Sequence, residues 1–479
     1  MGELRERESK FDVDSDWVLP DLAPLAPDGG SVATHTVELT SAYLDTPSRD
    51  LLSAGATLRR RTGDADTGWH LKVLDGDSRV EVRADLDGAG VPKELRELVA
   101  GVRSGEPLRP LVTMTTVRRA HSIVAADGTV LAEIADDQVS ATVFGPRRRT
   151  VGWREIEVEQ AAGDEALLTR AGRVLVKAGA APSTSTSKVA RALQRPGGEG
   201  SADLSLGGLI RAYVSTQVDA LLQRDIDLRR ARDVAHPTRV AIRRIRSVLH
   251  VFFDLFDPDR ATALNSELSW FSGLLGEVRD RDVLRDHLSA AVAALPAEVV
   301  IGPVAERIEA MLTAEREAAV LALSKAMKSP RYFALIRELK AWRDDPAFRN
   351  GHEPTGGVGS WLRAAAAKVS ARLRAAEKLD ATTVEAAAAM HRARKAAKRA
   401  RYIAELARPR LGGKAKSVIA EATATQDRLG GHQDSVIAAQ FLLRAQRAAD
   451  AAAGESPFTY GVLWAQEHAN STATAQSPA

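Results

Sequence analysis

Three charges within five residues open the chain: Glu6-Arg-Glu-Ser-Lys10 sets Glu6, Glu8 and Lys10 two apart. In a strand, residues two apart share a face, so two carboxylates and an ammonium would stand side by side. The spacing recurs at Arg59 and Arg61, His70 and Lys72, Glu81 and Arg83, and Glu155, Glu157 and Glu159. Between them lie apolar residues: Leu58, Leu71, Val73, Val80, Val82, Ile156 and Val158. A solvated sheet surface would account for any one of these strands. Five strands that join an apolar face to acids and bases of both signs allow another arrangement. In a closed barrel the apolar face packs on outer helices and the charges line a wet interior. Arg and Lys there grip phosphate oxygens, and carboxylates beside them suit a divalent metal set between them and the phosphate.

A second constellation lies in a helical context. With about 100° per residue, Arg239, Arg243 and Arg246 fall at about −60°, −20° and −80° from His236, one narrow basic stripe. His391, Arg394, Lys398 and Arg401 repeat it at the same angles, and Arg244 and Arg399 widen each face. Like charges this close repel, and a bound polyanion would relieve them. Zinc is not favoured, because no carboxylate or second histidine stands at ligand spacing. The histidines suit hydrogen bonds to phosphate or helix capping.

The elements that must position these groups follow from the rest of the 479 residues. Short period-two stretches with turn signals fill the first 195 residues, with helical patterns near 92–103 and 163–179. Residues 196–203 read as a linker, and 204–468 as helical, divided near Asp345–Gly359 into halves of about 204–345 and 359–468. Residues 469–479 read as a disordered tail. The halves are a duplication. His236 and His391 are 155 residues apart, and Leu275-Gly-Glu-Val-Arg-Asp280 precedes Leu429-Gly-Gly-His-Gln-Asp434 by 154. Residues 1–200 hold 26 Lys and Arg against 31 Asp and Glu; 201–479 hold 40 against 32. An acidic first part and a basic second part fit a metal-using site and a polyanion partner. There are no cysteines, which excludes disulfides and thiolate chemistry. No signal peptide or membrane-length apolar run is present, so a cytoplasmic location is expected.

Glu6-x-Glu8-x-Lys10, with Tyr43-Leu-Asp-Thr-Pro47, Leu58-Arg-Arg-Arg61, Trp69-His-Leu-Lys72, Trp153-Arg-Glu-Ile-Glu-Val-Glu159 and Ser187-Lys188, resembles the CYTH family of triphosphate tunnel metalloenzymes. The resemblance implies an eight-stranded antiparallel β tunnel with outer helices that binds a triphosphate with Mg²⁺ or Mn²⁺. It implies phosphate-gripping roles for Lys10, Arg59, Arg61, Lys72, Arg83, Arg118 and Lys188, with Arg118 preferred over Arg119. Metal binding falls to Glu6, Glu8, Glu157 and Glu159, and catalysis to Glu6, Glu8 and Lys10; Glu133 and Asp136 or Asp137 resemble a further acidic position.

The duplicated stripe, with Leu275-Gly-Glu-Val-Arg-Asp-Arg-Asp-Val283, resembles the CHAD domain, the conserved histidine α-helical domain. That implies an all-α C-terminal pair of four-helix bundles binding inorganic polyphosphate through His236, Arg239, Arg243, Arg246, His391, Arg394, Lys398 and Arg401. It allows association with polyphosphate granules. Ser247, Tyr402 and Val436 depart from the expected pattern, which leaves Asp280 and Asp434 a structural role as salt-bridge partners of the basic helix. The resulting expectation is a triphosphatase joined to a polyphosphate-binding domain. The alternatives are a non-catalytic polyphosphate-recruitment protein, an adenylate cyclase, or a nucleic-acid binder.

Overall fold

The computed structural model describes residues 3–63, 66–75, 78–86, 88, 90–185, 187–194, 203–351, 354, 357–379, 383–429, 432–451 and 456–476. Side chains are described for these except 3–6, 350, 384, 387, 432–434 and 471–476. The chain divides into two compact units, residues 1–200 with 225–230, and 201–224 with 231–479. Most of the linker read over 196–203 lies outside the described residues.

The first unit is one antiparallel sheet of strands β1 (Glu3–Glu6), β2 (Glu8–Val13), β3 (Ser31–Asp45), β4 (Thr57–Thr62), β5 (Gly68–Asp75), β6 (Ser78–Ala84), β7 (Arg109–Val124), β8 (Val130–Val143), β9 (Arg149–Gln160) and β10 (Ala181–Pro182). Their order is β1-β6-β5-β4-β3-β7-β8-β9-β2-β10. β1 pairs with β6 and β2 pairs with β9, yet only Arg7 separates β1 from β2. The first run of chain therefore joins both edges, and the sheet closes into a tunnel. Among the described residues ten strands stand where eight were expected, because the first run is interrupted at Arg7 and Ala181–Pro182 adds a short strand to β2.

Period-two alternation decides what faces the lumen. Lys10 lies opposite Glu157, and Glu157 opposite Ala135, so these positions share the inner face. Phe11, Ile134, Ile156 and Val158 point outward and bury against Leu167, Leu168, Ala171 and Leu175 of helix α4 (Glu165–Lys177). Those helical residues recur three or four apart, the spacing of one face, and each leucine buried there contributes roughly 1.5–3 kcal/mol. The Asp164 side chain caps the helix by accepting from Leu167 N. Short helices α1 (Asp50–Ser53), α2 (Lys93–Leu98) and α3 (Ala100–Arg103) also belong to this unit. At one end of the lumen, Tyr43, Val112, Met114, Val139, Ala141 and Val143 pack with Val189 and Ala192 of helix α5 (Lys188–Leu193).

The second unit is helical: α6 (Leu206–Arg229), α7 (Ala235–Val251), α8 (Pro258–Ala293), α9 (Val304–Met327), α10 (Pro330–Asp344), α11 (Val358–Ala376), α12 (Val384–Leu411), α13 (Gly413–Arg428), α14 (His432–Asp450) and α15 (Phe458–Gln476). Among the described residues each half supplies five long helices, where bundles of four were expected. The halves also share a core: Leu284, Leu288 and Val292 of α8 and Ile308 and Leu312 of α9 pack with Phe441 and Leu442 of α14 and Tyr460 and Leu463 of α15. The 36-residue α8 runs unbroken through Leu275–Asp280, whereas its echo starts at Leu429, just past α13, and ends in the first residues of α14, with Gly430 and Gly431 outside the described residues. The stretch read as a disordered tail is helical through Gln476, where alanines at 469, 473 and 475 favour the helix. Among the described residues, no helix is long and apolar enough to cross a membrane.

Candidate functional site

The lumen gathers charge from seven strands and one helix. Lys10 Nζ donates to Glu8 Oε2 at 3.0 Å and to Glu157 Oε1. Arg118 donates to both oxygens of Asp137 at 2.8 Å and to Glu157 Oε2 at 2.9 Å. Lys188 reaches the lumen from α5, whose cap is the Ser187 hydroxyl accepting from Ala190 N at 3.1 Å. Its ammonium lies 2.7 Å from Glu155, 2.7 Å from Glu157 and 3.0 Å from Asp137. Three cations thus converge on Glu157. Burial alone would raise the Glu157 pKa, but Lys10, Lys188 and Arg118 hold it well below the ordinary carboxylate value. Burial likewise opposes the charge on Lys10, and Glu157 and Glu8 outweigh it to raise the pKa.

A second knot forms around Glu81, fully buried on β6. It accepts from His70 Nδ1 at 2.9 Å and pairs with Arg59 at 3.5 Å, Lys72 at 3.6 Å and Arg83. Burial would raise its pKa, yet His70, Lys72 and Arg59 bring it far down. Asp66 holds Arg61 at 3.0 Å and Arg83 at 2.6 Å. Arg59 also donates to the Tyr43 hydroxyl at 3.4 Å.

All the cations expected to grip phosphate therefore face the lumen, each held on at least one carboxylate. Glu8, Glu157 and Glu159 offer oxygens within 4.8 Å of one another, as do Asp137, Glu155 and Glu157. Glu6 sits on β1 opposite Arg79, and its side chain lies outside the described residues. Arg118 points inward, and Arg119, one residue on, takes the opposite face. Asp137 is likewise inward, while Asp136 is paired outside with Arg154 at 2.8 Å. Glu133 lies 3.7 Å from Arg118 and opposite Glu159; burial raises its pKa against the pull of Arg118.

Glu81, Asp66, Glu155 and Arg79 carry weight that sequence reading had not assigned. Alternation put Glu81 and Glu155 on charged faces. Which cations they meet depends on register between distant strands. Arg79 pairs with Glu8 at 3.4 Å across the junction that closes the tunnel.

In the helical unit α7 packs against α12, and the two stripes meet. The Lys398 pKa is lowered to about 8 by burial and then by Arg394, Arg243, Arg401 and Arg239, two of them from the other copy. The Nε atoms of Arg239, Arg243, Arg394 and Arg401 are buried and donate to no protein group among the described residues. His236 and His391 are exposed, and burial followed by neighbouring cations lowers both pKa values. Arg246 departs from the shared cluster by donating to Asn265 Oδ1 at 3.0 Å. Asp280 pairs with Arg239 at 3.0 Å, in keeping with a pinning role; the Asp434 side chain lies outside the described residues. Ser247 donates back to Arg243 O, and Tyr402 is buried under Arg244 and Arg401. Glu405, which sequence reading passed over, accepts from Arg244 and lies 3.6 Å from Arg401.

The family description of the CYTH domain matches residues 4–193, and that of the CHAD domain matches 212–443. The uncharacterized protein Rv2226 of Mycobacterium tuberculosis is 35% identical over 486 residues, spanning 96% of this chain and 92% of that protein. Among solved structures, PptA from Streptomyces chartreusis aligns with a TM-score of 0.47 at 23% identity, over 56% of this chain and 96% of its own. The CHAD domain from the plant Ricinus communis aligns at 0.45 and 24%, over 58% and 94%.

Proposed function

The chain belongs to the family in which a CYTH domain is followed by a CHAD domain, and from that premise we propose that its tunnel hydrolyses inorganic triphosphate or a related triphosphate while its helical unit binds inorganic polyphosphate. The observation that carries the tunnel reading is the convergence of Lys10, Arg118 and Lys188 on Glu157, beside Glu8 and Glu159. A phosphate chain entering the lumen competes with the carboxylates for these cations. Each Lys or Arg that turns to a phosphoryl oxygen releases a carboxylate. Glu8, Glu157 and Glu159 then form a set of hard oxygen donors fitted to Mg²⁺ or Mn²⁺. Bound there, the divalent ion supplies further neutralisation of phosphoryl charge.

The chain's own residues account for the remaining tasks. Arg59, Arg61, Lys72 and Arg83 line a basic wall for the rest of the phosphate chain, and Tyr43 and Asp66 fix the positions of Arg59 and Arg61. Lys10, Arg118 and Lys188 stabilise charge on the transferring phosphoryl group, and a lumen carboxylate orients the attacking water. Hydrolysis needs no nucleoside pocket, which favours it over cyclisation.

The experiment is Mg²⁺- or Mn²⁺-dependent phosphate release from tripolyphosphate, ATP and thiamine triphosphate, with Glu8→Ala and Lys10→Ala as controls. Release is expected from at least one substrate, and each variant should lose about a hundredfold or more, the scale of one lost transition-state contact. Absence of release from all three, or release indifferent to both substitutions, overturns the enzymatic reading and leaves a polyphosphate-recruitment protein. For the helical unit, the four orphaned arginine Nε atoms support a polyanion site. Arg239→Ala/Arg394→Ala should weaken binding of long-chain polyphosphate, and unchanged binding would remove the stripe from consideration.

A further inference from the structure

The duplication also aligns side chains beyond the eight residues of the stripe. At the spacing of 155 that relates His236 to His391, Ala212-Tyr213-Val214-Ser215 on α6 falls on Ala367-Lys368-Val369-Ser370 on α11. Arg244 falls on Arg399, and His250 falls on Glu405. Three of the four residues in the α6 and α11 stretches are identical, so the alignment does not rest on the basic stripe alone.

In one copy these positions form a self-neutralised knot. Glu405 Oε2 accepts from Tyr213 Oη and from Arg244 Nε, each at 2.9 Å, and Arg244 also donates to Gln217 at 3.5 Å. The carboxylate comes from α12 and the arginine from α7. In the related copy the roles of the two helices exchange. Arg399 of α12 stands where Arg244 stood, His250 of α7 takes the place of the carboxylate, and Lys368 takes the place of the tyrosine.

What results is a cavity of roughly 200 Å³, lined by His250, Lys368 and Arg399 with Trp361, Ala365 and Ala396 among its walls. Among the described residues no carboxylate lines it. Among the described residues, the side chains of His250, Lys368 and Arg399 have no hydrogen-bond or ion-pair partner. Burial lowers the pKa of His250, followed by Arg399 and Lys368, and burial with Arg246 lowers that of Arg399. Three basic groups share a space whose counterpart contains its own carboxylate.

We propose that this cavity is an anion site for one phosphoryl group, whose oxygens occupy the position that the Glu405 carboxylate fills in the other copy. The group comes either from inorganic phosphate or from the end of a phosphate chain. Its oxygens accept from Arg399 Nε or Nη, Lys368 Nζ and the His250 ring, above a floor of Trp361 and alanines, with His250 and Lys368 at the solvent-facing mouth. The site is separate from the unpartnered Nε atoms of the stripe, and it stands even if the stripe binds no polyphosphate.

The test is calorimetric titration of the full chain with inorganic phosphate. His250→Glu installs the missing carboxylate and should weaken phosphate binding about tenfold or more, the loss of one charge-assisted contact. Its melting temperature should not fall, since the new carboxylate supplies the absent counter-charge. Lys368→Met, on an exposed helical position, is the second variant and should show the same loss should His250→Glu fold poorly. Lys416→Met, an exposed basic position on α13 outside both the cavity and the stripe, should bind phosphate as the wild type does, while the stripe reading is judged by polyphosphate binding of Arg239→Ala/Arg394→Ala. Titration with long-chain polyphosphate separates the sources: a chain end as ligand makes both cavity variants bind chains less tightly, and free phosphate leaves chain binding unchanged. The proposal is overturned if the wild type takes up no phosphate at millimolar concentration, or if both cavity variants bind it as the wild type does.

Discussion

Lys398 is the most strained charge of the basic stripe and the one whose removal discriminates best. Burial, Arg394, Arg243, Arg401 and Arg239 together bring its pKa from 10.5 to about 8. The protonated form is therefore held less well by the folded chain than by the unfolded one. Above about pH 10.5 both states are neutral and the cost is absent; it grows as the pH falls toward 8 and is complete below that. The shift corresponds to about 3 kcal/mol at about 1.4 kcal/mol per pKa unit. The side chain is only partly buried, and screening by solvent brings the figure to roughly 1–2 kcal/mol. Lys398→Met keeps the apolar stem and removes the charge. It should stabilise the helical unit by that amount at pH 7, a rise of roughly 2–8 °C in melting temperature for a unit of this size. The gain over wild type should shrink as the pH approaches 10.5. A polyanion on the stripe restores Lys398 toward its ordinary pKa, so Lys398 should add net proton uptake to the binding of long-chain polyphosphate at pH 9. Calorimetry in buffers of different ionisation enthalpy reads that uptake, and Lys398→Met should reduce it. A variant no more stable than wild type at pH 7, a gain that persists unchanged at pH 10.5, or uptake at pH 9 indifferent to the substitution would refute the reasoning.

Lys188→Met should destabilise the tunnel unit by about 3–5 kcal/mol, because Asp137, Glu155 and Glu157 lose a shared counter-ion in a buried site. Urea denaturation of the full chain checks it, and an unmoved transition of the tunnel unit would contradict it. Glu157 and Asp137 are both held below ordinary carboxylate values despite burial, with Arg118 among the causes. Their stabilising contribution is complete above about pH 5 and drains as the pH falls through the folded values. Arg118→Met should accordingly flatten the fall of tunnel stability below pH 5, read from denaturation midpoints at several pH values. Asp280→Ala releases Arg239 from a half-exposed ion pair. It should change stability by no more than about 1 kcal/mol and tighten polyphosphate binding, and weaker binding would show that Asp280 positions Arg239 for the ligand.

Much of this protein is local and therefore legible in the sequence. Two-residue alternation follows from strand geometry alone, so it placed Lys10, Arg59, Lys72 and Glu157 on charged faces and Phe11, Leu71 and Ile156 on apolar ones. The 3.6-residue turn fixed the stripe of His236, Arg239 and Arg243, and the spacing of 155 residues exposed its copy. The phase that separates Arg118 from Arg119, by contrast, depends on register with β8. Tertiary structure decided what meets across long loops. The break at Arg7, which turns one run into the seam of a closed tunnel, has no local signature, because it reflects the pairing of β1 with β6 and β2 with β9. Glu81 became a hub only when β4 and β5 brought Arg59, His70 and Lys72 to it. The helices of the two halves share a core because α8 and α9 bury their apolar faces against α14 and α15, a choice among amphipathic partners that periodicity does not make. The difference between the Glu405 knot and the open cavity at His250 arises in the same way. Each residue's neighbours in sequence are ordinary, and only the crossing of α7 and α12 determines whether an arginine meets a carboxylate or another cation.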